Sequence, residues 1–95
     1  AGRKAVFKTE AGDETVEFDM LHAVPPQVAP QFVADSPLAN AESGFVDVDK
    51  FTLQHVRYPN VFGVGDAGST PNAKTMAAAR KQAPIVAVNA LAQLD

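Results

Sequence analysis

Tyr58-Pro59-Asn60-Val61-Phe62-Gly63-Val64-Gly65-Asp66 reads as a turn, then a short apolar strand, then small residues that bring a carboxylate to a loop edge. With Ala67 and Gly68 the stretch also satisfies the literal pattern GxGxxG. A dinucleotide-binding turn of that pattern opens a βαβ unit and has an acidic residue about 20 positions later, at the end of a second strand. Here the following residues are helical, and a carboxylate inside the turn would repel the pyrophosphate that such a turn attracts. The pattern is therefore rejected as a fingerprint, and Asp66 becomes the residue to explain.

Two readings of Asp66 stand side by side. It can cap the turn that follows it. Alternatively, with no side chain on Gly65 to obstruct a ligand, its carboxylate can accept hydrogen bonds from ligand hydroxyls. A helix start expected at residues 73–75 supplies free backbone N–H groups that favour an anion. Lys74 falls in the first turn of that helix, where a cation opposes the macrodipole unless an anion sits nearby; a solvated surface lysine is the plainer alternative.

Working outward, residues 3–10 read as a strand, residues 11–14 as a turn and residues 15–21 as a second strand. Val16, Phe18 and Met20 alternate with Glu17 and Asp19 there, so the pair forms a β-hairpin. Pro25, Pro26 and Pro30 make residues 24–30 an extended connector, and one helical turn is expected within residues 31–39, interrupted before Pro37. Residues 44–48 and 51–55 are short strand candidates. Residues 73–94 read as a long helix, apolar around much of its surface and kinked at Pro84. Such a helix belongs in the middle of a structure.

The 95 residues are 46% hydrophobic and 20% charged, with 7% aromatics and no tryptophan. That composition gives a thin core for a small domain and favours borrowed surface, from missing parts of the protein or from a homo-oligomer. A net charge of −3 with scattered basic residues excludes a nucleic-acid surface. Without cysteine there is neither a disulfide nor a thiolate metal site, and His22 and His55 are not spaced as a metal pair on one helix face, so no metal is expected. His55 is expected at the surface. The apolar run at residues 83–92 holds Pro84 and Asn89 and is unfit to span a bilayer. A start at Ala1 rather than Met points to a trimmed chain.

Several stretches together carry a family resemblance. Asp19-Met20-Leu21-His22-Ala23-Val24-Pro25-Pro26, Ser36-Pro37-Leu38-Ala39, Gly44-Phe45-Val46-Asp47-Val48-Asp49-Lys50, Thr52-Leu53-Gln54-His55-Val56-Arg57 and Thr70-Pro71-Asn72-Ala73-Lys74-Thr75 resemble sulfide:quinone oxidoreductases, within the FAD-dependent pyridine nucleotide-disulfide oxidoreductases. The likeness runs from about Thr15 to the helix. The Gly65-Asp66 element is common to many flavoproteins, whereas the His-x-x-Pro-Pro and Pro-x-x-Lys-Thr elements narrow it.

The resemblance implies an α/β fold: the C-terminal fragment of a flavoprotein with two dinucleotide-binding domains, made of a β-hairpin, short strands and one long C-terminal helix. Residues 1–24 would close the second nucleotide-binding domain, and residues 25–95 would complete the FAD-binding domain. Gly65 and Asp66 would meet the ribityl chain of FAD. Lys74 and Thr75 would approach the pyrimidine edge of its ring, with the helix dipole and Lys74 stabilising negative charge there. His22 would lie near the domain crossover as a proton shuttle, against the plainer reading of a packed or surface histidine.

The implied parent enzyme passes electrons from a small reductant such as sulfide through flavin to a quinone. It would be cytoplasmic or peripheral to the membrane, and the 95 residues alone would be inactive. An NADH:quinone oxidoreductase-like flavoenzyme and a non-enzymatic self-associating module are the alternatives. One departure stands out: such enzymes usually carry a redox cysteine directly after Gly-Asp, and this sequence has Ala67. The chain also reaches Asp95 without an amphipathic membrane-binding tail.

Overall fold

The computed structural model describes Gly2 to Asp95. Strands β1 (Lys4–Thr9) and β2 (Gly12–Glu17) form an antiparallel hairpin. A single turn of helix, α1 (Gln31–Ala34), follows the proline connector. A 3-10 turn at Gly65–Ala67 precedes the long helix α2 (Met76–Leu94).

The hairpin is tighter than its sequence suggests. Thr9 pairs with Gly12, so the loop is Glu10 and Ala11 alone. Gly12 takes φ +118°, a conformation closed to most side chains, and thereby brings the second strand in three residues early. In this register Ala5, Phe7 and Val16 share one face. The other face carries Lys4 opposite Glu17 and Lys8 opposite Asp13. The expected continuation of β2 through Leu21 does not form: only the Phe18 N–H, donated to the Arg3 carbonyl at 3.1 Å, prolongs the ladder.

The core lies between residues 38 and 70, built from single bridges rather than continuous strands. Ala39 pairs with Val46, Val48 with His55, Gln54 with Phe62, and Val46 runs parallel to Gly68. The strands expected at residues 44–48 and 51–55 thus shrink to points of contact. Leu53 explains part of this: its φ of +59° turns the chain sharply inside what would be a strand. That turn drives Leu53 into the centre, where it is 2% exposed, beside buried Val46 and Val48. His55 is also buried, at 3% exposure, contrary to the surface position expected for it. Burial is tolerated because both ring nitrogens find backbone partners. Nδ1 accepts the N–H groups of Arg57 (2.9 Å) and Tyr58 (3.2 Å), which leaves Nε2 to donate to the Leu38 carbonyl at 3.1 Å.

Helix α2 starts at Met76, not residue 73, because Thr75 is its N-cap: the Thr75 hydroxyl accepts the Ala78 N–H at 3.2 Å. It runs unbroken through Pro84 to Leu94. The side chains that tie it to the body are small or polar and recur at helical spacing. Ala79 faces Gly65, Gln82 bonds the same turn, Asn89 donates to the Thr52 carbonyl at 2.8 Å, and Gln93 accepts from Gln54 at 3.2 Å. Ile85, Val88 and Leu91 point away and are 42%, 66% and 65% exposed. The helix therefore meets the body through polar and small side chains with half-buried Val86, and leaves Ile85, Val88 and Leu91 exposed along with Arg80 and Lys81.

The molecule measures 65 × 26 × 25 Å with a radius of gyration of 18.3 Å, against about 12 Å for a compact chain of this length. Its surface of 7432 Å² exceeds by about 2,200 Å² what a compact protein of 10.0 kDa exposes. The hairpin accounts for much of the elongation, since neither strand packs against another named element.

Candidate functional site: a carboxylate on an apolar cleft

The turn that carries Asp66 is held from three directions. Gly63 passes so close to the core that a Cβ there would lie 3.0 Å from Val48 Cγ1. Gly65 has φ +65°, and a Cβ on it would lie 3.2 Å from that of Ala79. Position 65 thus needs glycine for its backbone and for its neighbour alike. On the far side of the turn the Val46 N–H donates to the Ala67 carbonyl at 2.9 Å, and the Ser69 N–H donates to the Val46 carbonyl at 2.9 Å. Among the described residues the only ladder is the antiparallel hairpin, so no βαβ unit surrounds Gly63–Gly68.

Asp66 itself is exposed, and among the described residues its carboxylate accepts no hydrogen bond. It does not cap the 3-10 turn, which has no side-chain cap. Asp66 and Ala67 border a cleft of about 460 Å³ whose other walls include Phe32, Val33, Phe45 and Lys74. The lining is mostly apolar, and Asp66 and Lys74 are its two charges.

Lys74 does not sit in the first turn of α2. It precedes the cap Thr75, so the expected conflict with the helix dipole is replaced by a different arrangement. Its ammonium donates to the Gly68 carbonyl and lies 4.1 Å from the centre of the Phe45 ring, a cation–π contact. The lysine is thereby held as a fixed positive charge on the cleft wall. The N–H groups of Met76 and Ala77 at the start of α2 make no hydrogen bond among the described residues.

Of the residues expected at a site, the structure brings Asp66 and Lys74 to one cleft. Gly65 lies buried behind them, and the Thr75 hydroxyl is occupied by capping. His22 is exposed in the irregular segment after β2 and does not line the cleft. Phe32, Phe45 and Gln82 were not legible from spacing, since the first two reach the cleft, and Gln82 reaches the turn, only through the folded chain. Among the described residues no group of His, Asp or Glu is arranged to hold a metal ion.

Comparison with known proteins bears directly on this turn. The chain is 51% identical over 87 residues to a protein of Dictyostelium discoideum named sulfide:quinone oxidoreductase, mitochondrial, a match covering 92% of this chain and 19% of that protein. The chain belongs to the sulfide:quinone oxidoreductase family. Proteins of the same name from Schizosaccharomyces pombe and Mus musculus are 47% and 49% identical, over 92% and 75% of the chain respectively. The chain spans only 19%, 19% and 16% of the length of these relatives. No family model matches it. All three family members are named as mitochondrial, which lends no support to the cytoplasmic placement expected above. Among the described residues no helix is long and apolar enough to cross a membrane.

Proposed function

We propose that these residues form the flavin-contacting segment of an FAD-dependent sulfide:quinone oxidoreductase-like enzyme. In this reading residues 1–24 close its second nucleotide-binding domain, residues 25–95 complete its FAD-binding domain, and the whole protein acts at a membrane surface. The observation that carries the proposal is the unbonded carboxylate of Asp66 on an apolar cleft, in a segment so similar to proteins of that name. The donor set suits the cofactor. Asp66 offers acceptors to ribityl hydroxyls, and the free N–H groups of Met76 and Ala77 offer donors to the electron-rich edge of the ring. Lys74 adds a positive charge that needs no reorganisation, because Gly68 and Phe45 already hold it.

FAD, when bound, supplies the capacity to take electrons from a donor and deliver them to a quinone. The chain's own part is to bind and orient. Gly65 and the core bridges set the direction of Asp66, Thr75 fixes the start of α2, and Phe32, Val33 and Phe45 offer apolar surface on the cleft walls. His22 can shuttle a proton only if the rest of the parent brings it to the quinone side.

Ala67 limits the donor. A methyl group cannot form the persulfide or disulfide through which a thiol at this position would relay electrons from sulfide. Sulfide is accordingly expected to bleach the flavin of the full-length parent slowly under anaerobic conditions; bleaching as fast as turnover would show that Ala67 does not disable sulfide chemistry. The flavin reading is tested by Asp66→Ala in the same protein. Charge-assisted hydrogen bonds of about 1.5–3 kcal/mol predict a roughly ten- to hundredfold loss of FAD affinity, measured by titrating the apoprotein. Unchanged affinity would sink the assignment.

A further inference from the structure

We infer that Gln82 is a positioning residue for Asp66, acting through the backbone of Gly65; the inference rests on the flavin reading of Asp66. Gln82 lies in the second turn of α2, half-buried. Its Oε1 accepts the Gly65 N–H at 2.8 Å, the shortest of its three contacts. Its Nε2 donates to Thr70 Oγ1 at 3.4 Å and to Asn72 Oδ1 at 3.3 Å. One carboxamide therefore joins the residue immediately before Asp66 to the loop that leads on to Lys74 and Thr75.

The chemistry suits glutamine in particular. Gly65 is buried in a left-handed conformation that exposes its N–H to no backbone acceptor, so the donor needs a side-chain acceptor. Thr70 is buried as well, at 7% exposure, and a carboxamide presents an acceptor and donors together. Ala79 lies three residues earlier on the same face of α2 and limits Gly65 from the other side. The turn is thus held between one contact and one hydrogen bond from a single rigid helix. Because Gln82 bonds the backbone and not the carboxylate, it leaves both oxygens of Asp66 available to a ligand while setting where they point.

The experiment uses the full-length parent. Gln82→Met keeps the side-chain length and removes the hydrogen bonds; Gln82→Glu keeps an acceptor for Gly65. FAD affinity of the apoproteins is titrated for both, and for Gln82→Met combined with Asp66→Ala. Gln82→Met should lose roughly tenfold in affinity, Gln82→Glu should recover most of it, and Gln82→Met should cost less than about twofold more once Asp66 is alanine. A full tenfold cost in the Asp66→Ala background, or no cost in the parent, overturns the inference. Should Asp66→Ala alone leave affinity unchanged, the flavin reading fails, and hydrogen exchange at the Gly65 amide decides the positioning separately. Faster exchange in Gln82→Met supports it, and unchanged exchange overturns it.

Discussion

Residues 38–82 and the hairpin at residues 4–17 differ in where their polar groups and apolar side chains go. In the first region single bridges, the His55 ring and the Gln82 carboxamide satisfy backbone groups across long sequence separations, around a buried Leu53. Among the described residues the hairpin strands bond only within the hairpin. Its apolar face leaves Phe7 51% and Val16 41% exposed, and the ion pair of Lys4 with Glu17 at 2.9 Å lies in solvent. A two-stranded ribbon with an uncovered face is marginal in water. The contrast teaches that the site-bearing region carries its own order, whereas the hairpin and the outer stripe of α2 are shaped for a surface that covers them.

The largest effect expected from that difference is association. Burying the hairpin face or the Ile85, Val88 and Leu91 stripe against a second copy removes several hundred Å² of apolar surface, on the order of 10 kcal/mol before entropy costs. Sedimentation of the 95-residue chain at micromolar concentrations should show a dimer or larger species, and Val88→Glu with Leu91→Glu should reduce it. A monomer throughout would mean that these faces are stable in water.

Next comes the core. Leu53→Ala should destabilise the chain by about 2–5 kcal/mol in urea unfolding, the cost of a cavity at a fully buried leucine. Phe7→Ala in the same chain should change stability by under about 0.5 kcal/mol if Phe7 stays exposed. In the full-length parent the two costs should converge, because a covered Phe7 joins a core. Equal costs already in the 95-residue chain would erase the distinction between the regions.

The smallest effect is on the acid side. The backbone N–H groups of Thr52 and Phe51, with the Thr52 hydroxyl, bond Asp49 and hold its carboxyl below the ordinary value of 3.8. A depressed folded-state pKa contributes stability above that value, lost as pH falls through the folded one. Stability of the natural chain should therefore decline below about pH 4, and Asp49→Asn should flatten that decline. An identical acid dependence in both proteins would show that other carboxylates govern it.

Much of the candidate site's local geometry was legible before folding, because it depends on neighbouring residues. Gly65-Asp66 announces a carboxylate at a loop edge, and the prolines at 25, 26 and 30 announce an extended connector. The short strands were harder. Alternation at residues 44–48 and 51–55 is genuine, but Asp49 ties the intervening loop through Phe51 and Thr52 and Leu53 turns left-handed, so pairing survives only at single positions. His55 was misplaced for a related reason. Whether an imidazole can be buried depends on backbone donors and acceptors reaching it, and one of those, the Leu38 carbonyl, lies 17 positions away.

By itself, then, the sequence determined what rests on the period and conformational limits of neighbouring residues. The hairpin, the proline connector, the long helix and a carboxylate delivered by glycine all depend on contacts within a few positions. Only the tertiary structure decided which side of α2 faces the body, since Gln82 and Asn89 bond inward while Ile85, Val88 and Leu91 stay outside. It also decided that Lys74 lies over Phe45 rather than in the helix, and that Gln82 reaches the Gly65 amide. Each of these joins groups far apart in the chain whose hydrogen-bonding needs are met only once the bridges of the core have set them side by side.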